Sequence, residues 1–131
     1  DPCSADGSID LSGKNLTWSP ELSWNLQFEH NTYTGNGFRI MNVINVNYTG
    51  EMFYNETNYA SDPFHSGRDD LHTVNTSMVF IDEANAWALE FYVHNATDEL
   101  IKTDSYPANA GFVKAMYAPP MAYGVRFNKD F

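Results

Sequence analysis

Four side chains within eight residues combine imidazole with carboxylate: His65, Asp69, Asp70 and His72, in the stretch FHSGRDDLH. Those donors suit Zn²⁺ or another divalent ion. The spacing matches no zinc signature, and turn formers dominate the surrounding segment, so a solvated polar loop competes with a metal site. Near the start, DGSID offers Asp6, Ser8 and Asp10 as oxygen ligands of the kind calcium favours. An EF-hand would need further acidic positions and a distant glutamate. No Gly-x-Ser-x-Gly, no phosphate-cradling glycine loop and no Cys–His pairing stands out. The carboxylate pairs Asp69-Asp70, Asp82-Glu83 and Asp98-Glu99 are sequence neighbours. On a strand, neighbours point to opposite faces, so adjacency signals exposure rather than a catalytic dyad.

The chemistry written most often is that of the glycan acceptor. Asn-x-Ser/Thr triplets start at Asn15, Asn47, Asn55, Asn75 and Asn95, none with proline in the middle and four of them using threonine. In 131 residues, 14 asparagines and 18 serines and threonines would produce roughly two such triplets by chance. The excess points to the secretory pathway.

One cysteine, Cys3, sits beside the small polar run Ser4-Ala5-Asp6-Gly7-Ser8. A segment so polar does not pack deeply, and an accessible thiol in an oxidising compartment seldom stays free. Cys3 is therefore expected to bridge to another chain or to a removed part of its own precursor. Residues 1–8 are expected to be flexible. The chain begins at Asp1 with no signal peptide, as expected of a processed secreted chain, though a piece excised from a longer protein would look the same.

Aromatic residues make up 15% of the chain, and such large, stiff side chains favour strands. Seven basic against 17 acidic residues give a net charge of −10, which disfavours nucleic acid and anionic membrane surfaces as partners. No apolar run approaches the ~18 residues a membrane span requires. The length suits one domain, 1–131, large enough to fold without a staple.

The elements that would carry these residues alternate with period two. In ELSWNLQFEH, Leu22, Trp24, Leu26 and Phe28 face one way. In FRIMNVINVN, Phe38, Ile40, Ile44 and Val46 oppose Arg39, Met41, Val43, Asn45 and Asn47. In HTVNTSMVF, Val74, Met78 and Phe80 oppose Thr73, Asn75 and Ser77. Asn47 and Asn75 thus fall on the more polar faces. WALEFYVH, 87 to 94, alternates too. A helical stripe through Ala84, Trp87, Ala88 and Phe91 competes, but aromatic and β-branched residues favour the strand. DELIKTDSY, FVKAMY and YGVRF supply further short strands, and 58–71 reads as a long surface loop. Around NVNYTGEMFYN, glycine geometry and outward asparagines favour a hairpin with the loop Tyr48-Thr49-Gly50. That register pairs Val46 with Met52 and Ile44 with Tyr54. Tyr33, Tyr54, Tyr59 and Tyr92 are candidates for a sugar-stacking platform, with core packing the competing role.

About eight short strands with little helix predict an all-β, antiparallel β-sandwich of jelly-roll or Ig-like type. The mixture of sequons, strands and acidity resembles, in general terms, the luminal domains of lysosomal membrane glycoproteins. Those domains share paired disulfides that a chain with only Cys3 cannot form, and nothing of theirs is carried over. The reading is a secreted, cell-surface or luminal glycoprotein domain without enzymatic activity or cofactor. It would bind a protein or carbohydrate ligand. A structural subunit of a coat, surface layer or filament is the alternative, and a metal-dependent hydrolase using His65 and His72 comes third.

The Cys3 expectation has a direct check. Non-reducing electrophoresis of native material is expected to show a species that shifts on reduction. An unshifted band, with Cys3 fully alkylated before reductant is added, removes the tether.

Overall fold

In a computed structural model, which describes residues 8–58, 66–108 and 112–130, the chain is all-β and antiparallel, as the alternation predicts. Among the described residues there is no helix, and therefore none long and apolar enough to cross a membrane. The strands are β1 (Ser23–Tyr33), β2 (Phe38–Thr49), β3 (Met52–Phe53), β4 (Gly67–Arg68), β5 (Leu71–Asp82), β6 (Trp87–His94), β7 (Lys102–Ala108), β8 (Phe112–Tyr117) and β9 (Ala122–Lys129). The segment 87–94 is thus a strand, not a helix. Its alternating aromatic and β-branched residues fit a pleated surface better than a helical stripe.

Two compact units interleave along the sequence. One comprises Ser23–Thr49, Leu71–Ile101 and Pro119–Phe131, and holds a five-stranded sheet of order β1-β2-β5-β6-β9. The other comprises Asp1–Leu22, Gly50–Asp70 and Lys102–Ala118, with the two-stranded sheets β3-β4 and β7-β8.

In the five-stranded unit, turn chemistry sets two hairpins. Between β1 and β2, Gly35, Asn36 and Gly37 have φ of 79°, 54° and 76°. Glycine and asparagine tolerate that left-handed backbone best. Thr34 N–H closes the turn on the Phe38 carbonyl at 3.0 Å. Between β5 and β6, the Asp82 carboxylate accepts the Asn85 backbone N–H at 3.0 Å and its side-chain amide at 2.8 Å. The hydrogen bond from the Asn85 side chain is the main reason the Asp82 carboxyl is held below its usual range.

The register then fixes two faces. Rows such as Leu26–Val46–Val74 and Phe28–Ile44–Thr76–Val93–Tyr123 run across the strands on one face. Asn25–Asn47–Thr73 and Gln27–Asn45–Asn75 run across the other. The expected phases of β1, β2, β5 and β6 are those observed.

The expected hairpin about Tyr48-Thr49-Gly50 does not form. Val46 pairs with Leu26 and Val74, and Met52 pairs with Arg68 of β4. Gly50 is not left-handed there, and its N–H donates to the Leu22 carbonyl at 2.8 Å. The physical reason is competition for the edges of β2. Strands of 11 and 12 residues occupy both of its sides, whereas residues 51–55 could offer only a short ladder. The expected orientations of two residues survive the wrong pairing: Val46 lies on the apolar face, and Tyr54 is buried.

The smaller unit has its own core. Phe53 and Tyr54 are buried, and Trp18 lies tilted against Tyr54 at 4.8 Å between ring centroids. Tyr54 N–H donates to the Ser66 carbonyl at 2.6 Å, and its hydroxyl to the Lys102 carbonyl at 2.5 Å. Burial raises the Tyr54 phenol above its ordinary value. The strand β4 lies inside the 58–71 segment that reads as loop, and residues 59–65 lie outside the described part. So do residues 1–7, with Cys3.

Gly67 lies so close to β3 that an added Cβ would collide with the Met52 carbonyl oxygen. That obstacle is backbone and cannot rotate away. Gly67→Ala is expected to destabilise the small unit by about 1–3 kcal/mol, the usual cost of overpacking. Urea unfolding followed by tyrosine and tryptophan fluorescence checks this; an unchanged midpoint would contradict it.

Candidate functional site: the apolar face of the five-stranded sheet

The residues best suited to recognition form a face rather than a catalytic cluster. Asp69 and Asp70 are exposed, and His72, the second residue of β5, has its ring 4.8 Å from that of Tyr48. His65 lies outside the described residues. Among the described residues no three His, Cys, Asp or Glu side chains converge as metal ligands.

One face of the sheet is apolar and in large part open to solvent. On the edge strand β1, Leu26 and Phe28 are 48% and 57% exposed; on the opposite edge strand β9, Val125 and Phe127 are each 61% exposed. Alternation dictates this face. Ile44, Met78 and Phe91 on the inner strands also remain exposed. Ring contacts hold its ends. Trp24 stacks on Tyr48 at 5.6 Å, and Phe38 meets Phe80 and Trp87 at 6.4 and 6.1 Å. Phe80 meets Phe91 edge-on at 6.0 Å. Such pairs stiffen the surface and fix ring orientations.

Within this face lies an open depression of about 520 Å³. Asn42, Thr76, Met78, Phe91, Val93, Tyr123 and Val125 line it. The hollow exists because Thr76 and Val93 are small next to the aromatic and methionine side chains around them. Apart from the phenols of Tyr48 and Tyr123, the ionisable side chains on this face are His30, His72, Asp82 and Lys129. They sit on the edge strands or at strand ends.

The other face is the more polar one, although Met41, Val43, Val79 and Ile81 also lie on it, and its polar side chains bond to one another. The Asn25 amide donates to Asn45 and Asn47 side-chain oxygens at 2.9 and 2.7 Å, and Asn47 donates to Thr73 at 3.4 Å. Further along, Arg126 pairs with Glu90 at 2.6 Å and lies 5.5 Å over the Tyr92 ring. Tyr92 covers Gly124, where a Cβ would strike its phenol ring. A large ring over a glycine restores the packing that the missing side chain leaves out.

Of the four tyrosines considered as a sugar platform, Tyr54 is core and Tyr59 lies outside the described residues. Tyr33 is exposed at the end of β1, and Tyr92 is on the polar face. Tyr33 and Tyr92 thus share the polar face, three strands apart, and Tyr54, being buried, offers no stacking surface.

The acceptor asparagines occupy different settings. Asn47 and Asn75 are half-buried on the polar face. In the smaller unit, Asn15 and Asn55 are half-buried, and the Thr57 hydroxyl donates to the Asn55 side-chain oxygen at 2.7 Å. Asn95 is different: it is 6% exposed and left-handed, with φ of 50°. Its backbone N–H donates to the Asn75 side chain at 2.9 Å. Its own amide donates to the Glu99 carbonyl at 2.9 Å and accepts the Glu99 N–H at 3.1 Å. The triplet reads the same in sequence whether its amide meets water or ties a turn. The left-handed backbone after β6 is the structural feature that separates the two.

Comparison of the chain with protein-family models, with curated proteins and with solved structures finds no match.

Asn95→Ala is expected to cost about 1–3 kcal/mol, since it leaves both Glu99 backbone groups without the partner they have now. Its left-handed backbone adds to the cost. The denaturant midpoint of the variant against that of the parent measures this. A shift within error would mean that water satisfies Glu99 equally well.

Proposed function

We propose that this chain is a secreted, cell-surface or luminal N-glycosylated β domain that acts by binding or adhesion and has no catalytic role. Its ligand, protein or carbohydrate, meets the apolar face of the five-stranded sheet. The observation that carries the reading is the opposition of the two faces. Asn47 and Asn75 lie on the polar face, and the exposed aromatic and aliphatic side chains lie on the other.

Sugars on Asn47 and Asn75 would keep the polar face solvated and leave the apolar face to make contacts. A continuous apolar surface of this extent on a soluble protein marks an interaction site. The charge of −10 argues against nucleic acid as the ligand. Sugar is assigned to Asn15, Asn47, Asn55 and Asn75. At Asn95 a glycan would have to share a buried amide nitrogen already bonded to the Glu99 carbonyl, so that site is assigned as bare.

Intact mass of natural material before and after deglycosylation, with peptide mapping, tests the reading. At least three of the four assigned sites are expected to carry sugar and Asn95 none. Five bare sites in native material would remove the secretory assignment.

A further inference from the structure

We propose that the first sugar of the glycan on Asn75 lies down on the polar face, in a hollow over Ser77 walled by Tyr92, Glu90 and Arg126. The inference rests on the reading of Asn75 as a glycosylated site and adds where its sugar goes.

Strand geometry supplies the reach. Asn75 and Ser77 are two residues apart on β5 and share a face, about 7 Å from each other. Three sides of Asn75 are already taken. Asn45 opposes it on β2 and is bonded to Asn25. Toward the start of β5, Thr73 accepts the Asn47 amide at 3.4 Å. On the β6 side, the Asn75 side-chain oxygen accepts the Asn95 N–H at 2.9 Å. A glycan is attached through the amide nitrogen, so this bond survives glycosylation and holds the amide in one orientation. The way left along the sheet surface is toward Ser77.

There the sheet has a hollow of about 140 Å³, lined by Val43, Ser77, Glu90, Tyr92, His94 and Arg126, with Asn75 itself part of the lining. Side-chain sizes explain it. Val43 and Tyr92 pair with Ser77 from either side. Ser77 is small, and the Tyr92 ring lies over Gly124 of β9, away from β5. Ser77 is also the one serine among the five acceptor triplets. Threonine in its place would put a methyl group into the hollow.

The lining suits a sugar. A sugar presents groups that donate and accept hydrogen bonds beside C–H faces. Arg126 donates and the Glu90 carboxylate accepts, and the two face each other at 2.6 Å. The Tyr92 ring, with Arg126 5.5 Å over it and His94 at 5.1 Å, supplies an aromatic wall. A contact of this size is too weak to hold a free monosaccharide. Attachment two residues away raises the effective concentration to roughly the millimolar range, which populates a weak contact.

NMR of the full chain, secreted from eukaryotic cells and trimmed enzymatically to one N-acetylglucosamine per site, tests this. The N-acetyl methyl on Asn75 is identified by its loss in Asn75→Gln. It is expected to show nuclear Overhauser contacts to the Tyr92 ring. Ring current is expected to displace it from the methyls of the other sites. Tyr92→Leu is expected to return it to their position with Asn75 still glycosylated. If that variant misfolds, the direct contact decides. A displacement that survives Tyr92→Leu in a folded protein overturns the proposal.

An Asn75 sugar without contact to Tyr92, its methyl in the common position, also overturns it and leaves the glycoprotein reading standing. Asn75 bare in native material overturns it too. Peptide mapping of Asn15, Asn47 and Asn55 then shows whether the glycoprotein reading fails with it.

Discussion

The pairing of β2 with β5 is the constraint on which the five-stranded unit depends. It joins two 12-residue strands that are separated in sequence by a stretch of the other unit. Because a strand shows its side chains alternately to two sides, the register of this one ladder assigns every residue of both strands to a face. The hairpins β1–β2 and β5–β6 then extend the assignment outward, and β9 completes it. A slip of one residue between β2 and β5 would carry Ile44 and Val46 to the polar side and Asn45 and Asn47 to the apolar one. The cost of such a slip across 12 residues is what makes the register unique. Loop closure between β2 and β5 is comparatively cheap, because its entropy grows only slowly with loop length.

Much of this was legible in the sequence. Trp24, Leu26 and Phe28 alternate with Ser23, Asn25 and Gln27, and that period survives any error about partners. Partner choice was not legible, and the stretch around Gly50 shows why. A glycine in a polar turn between two alternating runs is locally a good hairpin signal. Whether that hairpin forms depends on what else can occupy the edges of β2, and the winning competitor begins at Leu71. Local chemistry cannot rank a short adjacent ladder against a long distant one. Asn95 shows a second limit: its triplet counts toward the excess of acceptor signals, yet its side chain is committed to closing the turn after β6. Exposure of the apolar face is a third. Alternation separates an apolar side from a polar side, and nothing in the period says whether the apolar side is covered.

The exposed apolar face also bears on how one chain could meet another. The chain's acidic excess is distributed away from the middle of the apolar face, which is neutral. Such an arrangement separates two tasks that usually conflict. Net charge suppresses nonspecific association, and a neutral patch permits one specific contact.

Glycan placement then distinguishes between a closed assembly and an open one. A coat or filament needs each subunit to present two different, complementary surfaces, so that addition never terminates. In the five-stranded unit one broad face is apolar and the other carries Asn47 and Asn75. Sugar at those positions would exclude a neighbour from the polar face by bulk and hydration alone. With one face withdrawn, the apolar face and the sheet edges are what remain for contact. An open array would have to grow through the sheet edges β1 and β9 instead. There Glu29 and Arg126 lie on the polar face of strands that also carry the most exposed apolar residues of the sheet. Charged side chains on edge strands discourage edge-to-edge addition. Sugar on those two asparagines would therefore oppose growth through the polar face, the side of the sheet on which alternation puts them.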